Sequence, residues 1–221
     1  MAIVIAIDGP AGAGKSTIAR RLAKRLGYVY IDTGAMYRAV ALWALRQQVE
    51  LTDMHRLDQL AQAADIQLDS SHDLVTLNGE DVTDAIRSAE VSSAASQVAS
   101  VPAVRRALVA KQRVFAETRN VVMEGRDIGT VVFPNARVKI FLDANPDERV
   151  RRRAAETGVP PAALASQISD RDRRDQTRGD SPLAQAPDAV YVDTSNLSLE
   201  DVEEAILKVV RARTANGKEQ H

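Results

Sequence analysis

The segment Gly9–Thr17 constrains the fold of this chain more than any other part of it, because it reads Gly-Pro-Ala-Gly-Ala-Gly-Lys-Ser-Thr. This satisfies G-x-x-x-x-G-K-[ST], the pattern of a turn whose backbone N–H groups point at phosphate oxygens. An apolar run at residues 2–7 precedes the turn, and an amphipathic helical pattern closed by Gly27 follows it. Strand, loop and helix in this order open a βαβ unit. We therefore expect an α/β fold with a central parallel sheet and helices on both faces.

Hydrophobic patterns along the chain predict its other elements. Short apolar runs predict further buried strands at 28–31, 120–123, 138–142 and 189–192. Helical patterns predict helices at 35–47, 54–64, 85–117 with an interruption near Val101-Pro102, and 199–213, followed by a frayed tail from Thr214. Three strand-like pieces lie between residues 65 and 83, and Asn78-Gly79 between the last two is a hairpin turn signal. This stretch predicts a small antiparallel sheet in an inserted subdomain.

Composition narrows the function classes. The chain has 29 Lys and Arg against 30 Asp and Glu, and this near-neutral balance does not suggest a general nucleic-acid binder. The absence of cysteine excludes disulfides and thiol chemistry. The apolar run at the start lacks a basic flank and is too short to span a membrane. We expect a cytoplasmic protein with no membrane or nucleic-acid partner, and a monomer, because the pattern contains no heptad seam.

The glycine-rich loop predicts a triphosphate site. We expect ATP to contact all of its residues, namely Gly9, Pro10, Ala11, Gly12, Ala13, Gly14, Lys15, Ser16 and Thr17. Lys15 can reach the β- and γ-phosphates, and the Ser16 hydroxyl can bind Mg²⁺. A GTPase would need a guanine-binding N-K-x-D motif, which is missing, and a motor ATPase would usually be longer. The remaining class is the small-acceptor kinases, which need cationic groups to hold a second phosphate.

Two further motifs follow predicted strands, at the sheet edge where open α/β folds bind ligands. In the first, Asp32, Thr33 and Arg38 could bind an anion, although Asp32 or Thr33 could simply cap a helix while Arg38 is solvated. In the second, Arg126 offers a bidentate fork for phosphate. Asp127 can accept from the exocyclic amine of cytosine and would meet the carbonyl of uracil unfavourably. The alternative is a turn held by an internal Arg126–Asp127 pair.

The third motif is an arginine-rich segment at about 147–180. On a helix, Arg171, Arg174 and Arg178 share one face with Asp175 beside them. Mixed charges of this kind usually form a solvated surface laced with salt bridges. A phosphoryl-transfer site, however, needs mobile cations that close over it, and this segment could supply them.

Together these motifs resemble the bacterial cytidylate kinases, over a stretch from Met1 to about Val210. The motifs are the loop, Ile-Asp-Thr-Gly-Ala-Met-Tyr-Arg, Glu-Gly-Arg-Asp-Ile-Gly-Thr-Val-Val-Phe-Pro and Arg-Asp-Arg-Arg-Asp-Gln-Thr-Arg. The resemblance implies the nucleoside monophosphate kinase fold, and Mg²⁺-assisted transfer of phosphate from ATP to CMP or dCMP. It also implies a core at 1–33, 97–148 and 180–221, a monophosphate-binding subdomain at 34–96 with its antiparallel insert at about 65–83, and a lid at 149–179.

The resemblance further implies site residues. Those expected to contact CMP are Asp32, Thr33, Tyr37, Arg38, Ser96, Arg105, Arg126, Asp127, Arg171, Asp175 and Arg178. Those expected to act in catalysis are Lys15, Arg126, Arg171 and Arg174. Arg38, Arg126 and Arg171 would hold the acceptor phosphate. Ser96, Arg105 and Asp127 would contact the cytosine edge, with Arg106 an alternative to Arg105. Asp175 and Arg178 would meet the ribose.

Two alternatives to a CMP kinase stay open at this point. Another small-acceptor kinase of the UMP/CMP, thymidylate or shikimate type could share the loop and the lid. A regulatory protein could bind ATP without transferring phosphate to any monophosphate. The arginines at 38 and 126 speak against the regulator, because a pure sensor needs no second phosphate site.

Overall fold

The computed structural model describes residues 2–215. Contacts within the chain divide it into two units, one formed by Met1–Tyr30 and Ala116–His221 and the other by Ile31–Phe115. No helix between residues 2 and 215 has the length and apolar character needed to cross a membrane.

A five-stranded sheet organises the first unit. Its strands, in the spatial order β2-β6-β1-β7-β8, are β2 (Val29–Asp32), β6 (Val121–Gly125), β1 (Val4–Asp8), β7 (Val138–Asp143) and β8 (Val190–Asp193). Strand β1 pairs in parallel with both β6 and β7, and β7 pairs in parallel with β8. Asp8 lies opposite Gly125, so the loops that follow β1 and β6 leave the sheet at the same edge. The predicted parallel sheet is confirmed.

Four long helices complete this unit. They are α1 (Lys15–Leu26), α6 (Pro146–Thr157), α7 (Pro161–Thr177) and α8 (Leu199–Ala215). Ile18 and Leu22 of α1 and Ile206 of α8 are buried with Ile5 and Ile7 of β1 in one apolar cluster. Helix α1 ends at Gly27 in a left-handed conformation, as its position after the last apolar residue predicts. The core thus holds β1 and α1 rigidly on either side of the loop.

The second unit is mainly helical. It contains α2 (Thr33–Arg46), α3 (Met54–Ala63), α4 (Ala89–Val98), α5 (Pro102–Val114), a short 3₁₀ turn at Ala85–Arg87, and an antiparallel sheet of β3 (Ile66–Asp69), β4 (Leu74–Leu77) and β5 (Glu80–Asp81). Asn78 and Gly79 both have positive φ, the geometry that a two-residue turn between paired strands requires. The predicted antiparallel insert and its turn are confirmed.

Several details differ from the sequence prediction. Helix α2 already begins at Thr33, because the Asp32 side chain accepts a hydrogen bond from Ala35 N and caps it. The arginine-rich segment forms two helices, α6 and α7, separated by Gly158 in a left-handed conformation. The last helix extends to Ala215, so Thr214 and Ala215 are helical, and the rest of the predicted tail lies outside the described residues. The division into core, monophosphate-binding subdomain and lid stays a prediction, since units defined by packing do not test a division by function.

Candidate active site

The glycine-rich loop leaves the centre of the sheet, directly after β1. A Cβ atom added to Gly9 would lie 1.9 Å from the carbonyl oxygen of Leu142, and its φ of +148° is one that L side chains rarely adopt. A Cβ atom on Gly12 would lie 2.9 Å from the carbonyl oxygen of Arg149. Other residues at these two positions would push the loop away from β7 and α6. The glycines are therefore required by close backbone approach as well as by φ.

Lys15 is the first residue of α1 and is 6% exposed. Its ammonium donates to the carbonyl oxygen of Pro10 at 2.7 Å, so the loop curls around its own lysine. Burial, and next the positive charge of Arg126, lower the pKa of Lys15 to about 7, against the opposing effect of Glu124. The charge of Arg171 acts in the same direction as that of Arg126. The positive charges around Lys15 therefore disfavour its charged form, and an anion bound beside it would stabilise that form.

Ser16 and Thr17 are exposed in the first turn of α1. Mg²⁺ prefers oxygen ligands, and it usually keeps several waters and binds substrate phosphates rather than an all-protein cage. Residues 2–215 contain no cluster of three or more His, Asp or Glu side chains arranged as metal ligands. The exposed Ser16 hydroxyl could offer one oxygen to a magnesium ion that arrives with a nucleotide.

Arg126 and Asp127 follow β6, beside the glycine-rich loop. The Arg126 Nε donates to Asp175 Oδ2 at 2.9 Å, and the Arg126 side chain is only 17% exposed. The sequence left open a pair between Arg126 and its neighbour Asp127; the structure gives Arg126 the carboxylate of Asp175, on α7. Asp127 is buried at the start of a π-helical turn, Ile128–Val132.

Helix α7 and the residue that follows it carry the predicted cations Arg171, Arg174 and Arg178. Asp175 is 5% exposed and lies 3.7 Å from Arg178 as well as pairing with Arg126. Burial acts to raise the pKa of Asp175, but the charges of Arg126, Arg171 and Arg178 outweigh it and hold that pKa below its usual value. Arg174 donates to the carbonyl oxygen of Asp170 on its own helix. Part of the segment forms the solvated surface that mixed charges usually give, since Arg173 and Asp170 form an exposed salt bridge.

Arg149 and Asp172, two buried residues to which the sequence analysis assigned no role, also lie in this region. Arg149 of α6 is 8% exposed and donates to Asp172 of α7, to the carbonyl oxygen of Ala11 at 3.2 Å and to that of Ala144 at 3.1 Å. One side chain thus ties both helices to the glycine-rich loop. In the sequence, Arg149 is one of several arginines in a charged stretch, so no local pattern distinguishes it. Only the packing of α6 against α7 buries it.

In the second unit, Asp32, Thr33 and Arg38 lie around the start of α2. Arg38 Nη2 donates to Asp32 Oδ2 at 2.7 Å, and Asp32 also caps the helix. The two side chains are 22% and 24% exposed. The expected helix cap is thus present, but Arg38 is paired rather than solvated. Thr33 is buried at 3% exposure.

Tyr37, Ser96 and Arg105 are three buried members of the predicted set in this unit. The Arg105 guanidinium lies 5.4 Å from the centre of the Tyr37 ring, within cation–π distance. Arg105 is 2% exposed, whereas the neighbouring Arg106 is exposed. Ser96 is 7% exposed, and its hydroxyl finds no hydrogen-bond partner among residues 2–215. Buried hydroxyls are normally paired, so Ser96 has bonding capacity available for a ligand.

Comparison with known proteins identifies the family. The family model for cytidylate kinase matches residues 5–212. This chain belongs to the cytidylate kinase family. A cytidylate kinase from Solibacter usitatus is 64% identical over 224 residues, covering 98% of this chain and 96% of that protein. A cytidylate kinase from Pelotomaculum thermopropionicum is 52% identical over 222 residues, covering 97% and 96%. The family resemblance predicted from the motifs is confirmed.

Solved structures show the same fold at greater distance. The crystal structure of a gluconokinase from Sinorhizobium meliloti matches with a TM-score of 0.52 at 16% identity, over 100% of this chain and 98% of that one. The protein TT1252 from Thermus thermophilus matches with a TM-score of 0.51 at 22% identity, over 96% and 97%. At these identities the likeness shows the fold alone, and it agrees with the α/β fold described above.

Proposed function

We propose that this member of the cytidylate kinase family transfers the γ-phosphoryl group of ATP to CMP and dCMP, giving ADP and CDP or dCDP. Besides family membership, one observation carries the proposal. Arg126 and Arg171 lie close enough to Lys15 for their charges to lower its pKa. A loop for one polyphosphate and arginines for another phosphate therefore share a single electrostatic neighbourhood. Phosphoryl transfer between two phosphates requires cations near both, because they neutralise the charge on the transferring group.

On the donor side, we assign the loop Gly9–Thr17 to ATP. Within residues 2–215, no side chain caps the amino end of α1, which begins after Gly14. Its first N–H groups and the helix dipole are therefore available to phosphate oxygens. Lys15 would leave the Pro10 carbonyl and bind the β- and γ-phosphates. Mg²⁺, held by Ser16 and the phosphates, would supply charge neutralisation of the transferring group.

On the acceptor side, we assign the phosphate of CMP to Arg38, Arg126 and Arg171. The cytosine edge is assigned to Ser96, Arg105 and Asp127, with Tyr37 beside Arg105. Asp175 and Arg178 are assigned to the ribose, and Asp32 and Thr33 are assigned to CMP contacts beside Arg38, at the start of α2. The burial of Arg105 and the exposure of Arg106 support Arg105 as the cytosine ligand.

The proposed chemistry needs no general base, because the attacking oxygen belongs to a phosphate that is already anionic. The residues of the chain align the two nucleotides and neutralise charge as it moves. Lys15, Arg126, Arg171 and Arg174 are the groups that would do so. We also propose that the protein is a monomer and that it is cytoplasmic. Sedimentation of the purified protein tests the first point, and fractionation of cells tests the second.

The variant Lys15→Ala tests the mechanism. We expect kcat with ATP and CMP to fall by a factor of at least about 100, because a preorganised charge that stabilises the transition state is lost. The dissociation constant for CMP should change by less than about threefold, since CMP is assigned to other residues. Lys24→Ala, in the exposed last turn of α1, is the matched control. Near-normal turnover in Lys15→Ala would contradict the assignment.

A further inference from the structure

A buried carboxylate links the end of β1 to the turn that follows Asp127. Asp8 is 4% exposed, and it immediately precedes the glycine-rich loop. Its Oδ1 accepts from Ile128 N at 2.8 Å and its Oδ2 accepts from Gly129 N at 2.7 Å. These partners are 120 and 121 residues away in sequence. Both oxygens of one side chain are therefore committed to one turn.

The turn bonded in this way fixes the backbone after Asp127. The Asp127 carbonyl oxygen accepts from Val131 N at 2.8 Å and from Val132 N at 3.1 Å, closing the π-helical turn. The first N–H groups of any helical turn have no acceptor inside the turn, and a side-chain carboxylate can accept their hydrogen bonds. Here the acceptor is Asp8, on a neighbouring strand, rather than the residue directly before the turn. The start of the turn is thus held to β1 by Asp8.

Gly129 shows how closely the two parts fit. A Cβ atom at Gly129 would lie 3.3 Å from Asp8 Oδ2 and 3.1 Å from Lys139 Cδ. Even one methyl group would therefore require Asp8 or Lys139 to shift by a few tenths of an ångström. Displacement of the turn at this point would move the neighbouring Asp127 as well.

We propose that Asp8 is a positioning residue that sets the preference for cytosine over uracil, by holding the Ile128–Val132 turn and with it the Asp127 carboxylate. The proposal rests on the proposed function, in which Asp127 contacts the cytosine edge. A carboxylate is needed because two N–H donors require two acceptor oxygens. An asparagine offers one oxygen and turns its NH₂ group toward the other N–H.

The Asp8 carboxyl is mostly ionised at neutral pH, although it is buried. Burial raises the pKa of Asp8 to about 6, while the N–H groups of Gly129 and Ile128 act against that rise. The nearby negative charge of Asp127 raises this pKa further, and the positive charge of Lys15 lowers it. At neutral pH the carboxylate is thus ionised and can accept both hydrogen bonds.

The variant Asp8→Asn tests this role through specificity. We expect the ratio of kcat/KM for CMP to that for UMP to fall about 10-fold or more, as expected for loss of a hydrogen bond to a buried charged group. The KM for ATP should stay within about twofold of the parent value, because no phosphate contact is removed. Asp127→Ala gives the reference for loss of the Asp127 contact itself. Asp143→Asn is the matched control, since Asp143 also ends a central strand but accepts a local bond, from N of its neighbour Ala144 at 2.8 Å.

Gly129→Ala perturbs the same contact with Asp8 intact, and it decides the case if Asp8→Asn does not fold. The ratio should fall in the same direction, by about threefold. Equal losses with CMP and UMP, leaving the ratio unchanged, would overturn the positioning role and leave Asp8 as a structural residue. Absence of CMP phosphorylation by the parent protein would instead contradict the proposed function. The ratio of CMP and UMP dissociation constants, measured by calorimetry, tests the positioning role even then.

Discussion

The glycine-rich loop and the arginine cluster (Arg126, Arg171, Arg174, Arg178 and Asp175) are both proposed to bind anions, yet they are built differently. The loop is one continuous stretch whose donors are backbone N–H groups held in place by β1 and α1. The cluster is assembled from the residue after β6, from α7 and from the residue after α7, and two of its cations, Arg126 and Arg178, already share the buried carboxylate of Asp175. We therefore expect the loop backbone to accept phosphate as it stands, whereas a phosphate at the cluster would have to share or displace an internal ion pair.

The second unit repeats the arrangement of the cluster. Arg38 pairs with Asp32, as Arg126 pairs with Asp175. In both cases the carboxylate fixes the guanidinium in the unbound protein, which would reduce the entropy lost if a phosphate binds there. It also means that an incoming phosphate competes with an internal anion. We therefore expect a change in the loop backbone to have a larger effect than the loss of one arginine from the cluster.

Gly9→Ala should abolish the function of the loop. The added Cβ atom would overlap a backbone oxygen of β7, which cannot move as a flexible side chain can. We expect the free energy of unfolding to fall by several kcal/mol and ATP binding to be lost. Gly27→Ala is the control: it also has positive φ, but its Cβ atom would meet nothing within 4 Å, so it should cost only about 1 kcal/mol. Urea unfolding and ATP titration measure both, and equal effects of the two variants would contradict the role of close packing at Gly9.

Arg126→Ala should impair the acceptor side while sparing the donor side. It removes a bidentate cation and leaves the buried Asp175 with less compensation. We expect kcat/KM for CMP to fall about 100-fold, with the KM for ATP changed by less than about threefold. The exposed Arg173→Ala on α7 should leave both constants unchanged. Steady-state kinetics with each substrate varied decides, and an equal rise of both KM values would place Arg126 on the donor side instead.

The same contrast explains how much the sequence could reveal. The loop, the five parallel strands and the Asn78-Gly79 turn depend on neighbours in sequence, so periodicity and turn chemistry predict them. The partners of the cluster do not. The Arg126–Asp175 pair and the Arg149–Asp172 bridge exist only because α6 and α7 pack against the loop and the sheet edge. Ser96 and Arg105 are predicted by family resemblance alone, because neither carries a local signal of function.

The smallest expected effect concerns protons. Burial and the charge of Arg126 lower the pKa of Lys15 to about 7, so above that pH the free protein holds it largely neutral. Anionic phosphates favour the charged form and raise the pKa, so ATP binding should take up a proton, at most about one, between about pH 7 and 9. Calorimetry in buffers of different ionisation enthalpy measures this uptake. Lys15→Arg should bind nucleotide without it, because arginine stays charged in both states. Unchanged uptake in Lys15→Arg would assign the proton to another group.

The most direct test of the central claim is an acceptor panel, in which ADP formation from ATP and Mg²⁺ is followed with CMP, dCMP, UMP, TMP and shikimate. We predict rapid transfer to CMP and dCMP, with a kcat/KM for UMP at least about 10-fold lower, because Asp127 meets an acceptor rather than a donor on uracil. Faster transfer to UMP, TMP or shikimate would contradict CMP as the acceptor. Binding of ATP without transfer to any member of the panel would contradict the assignment of a kinase.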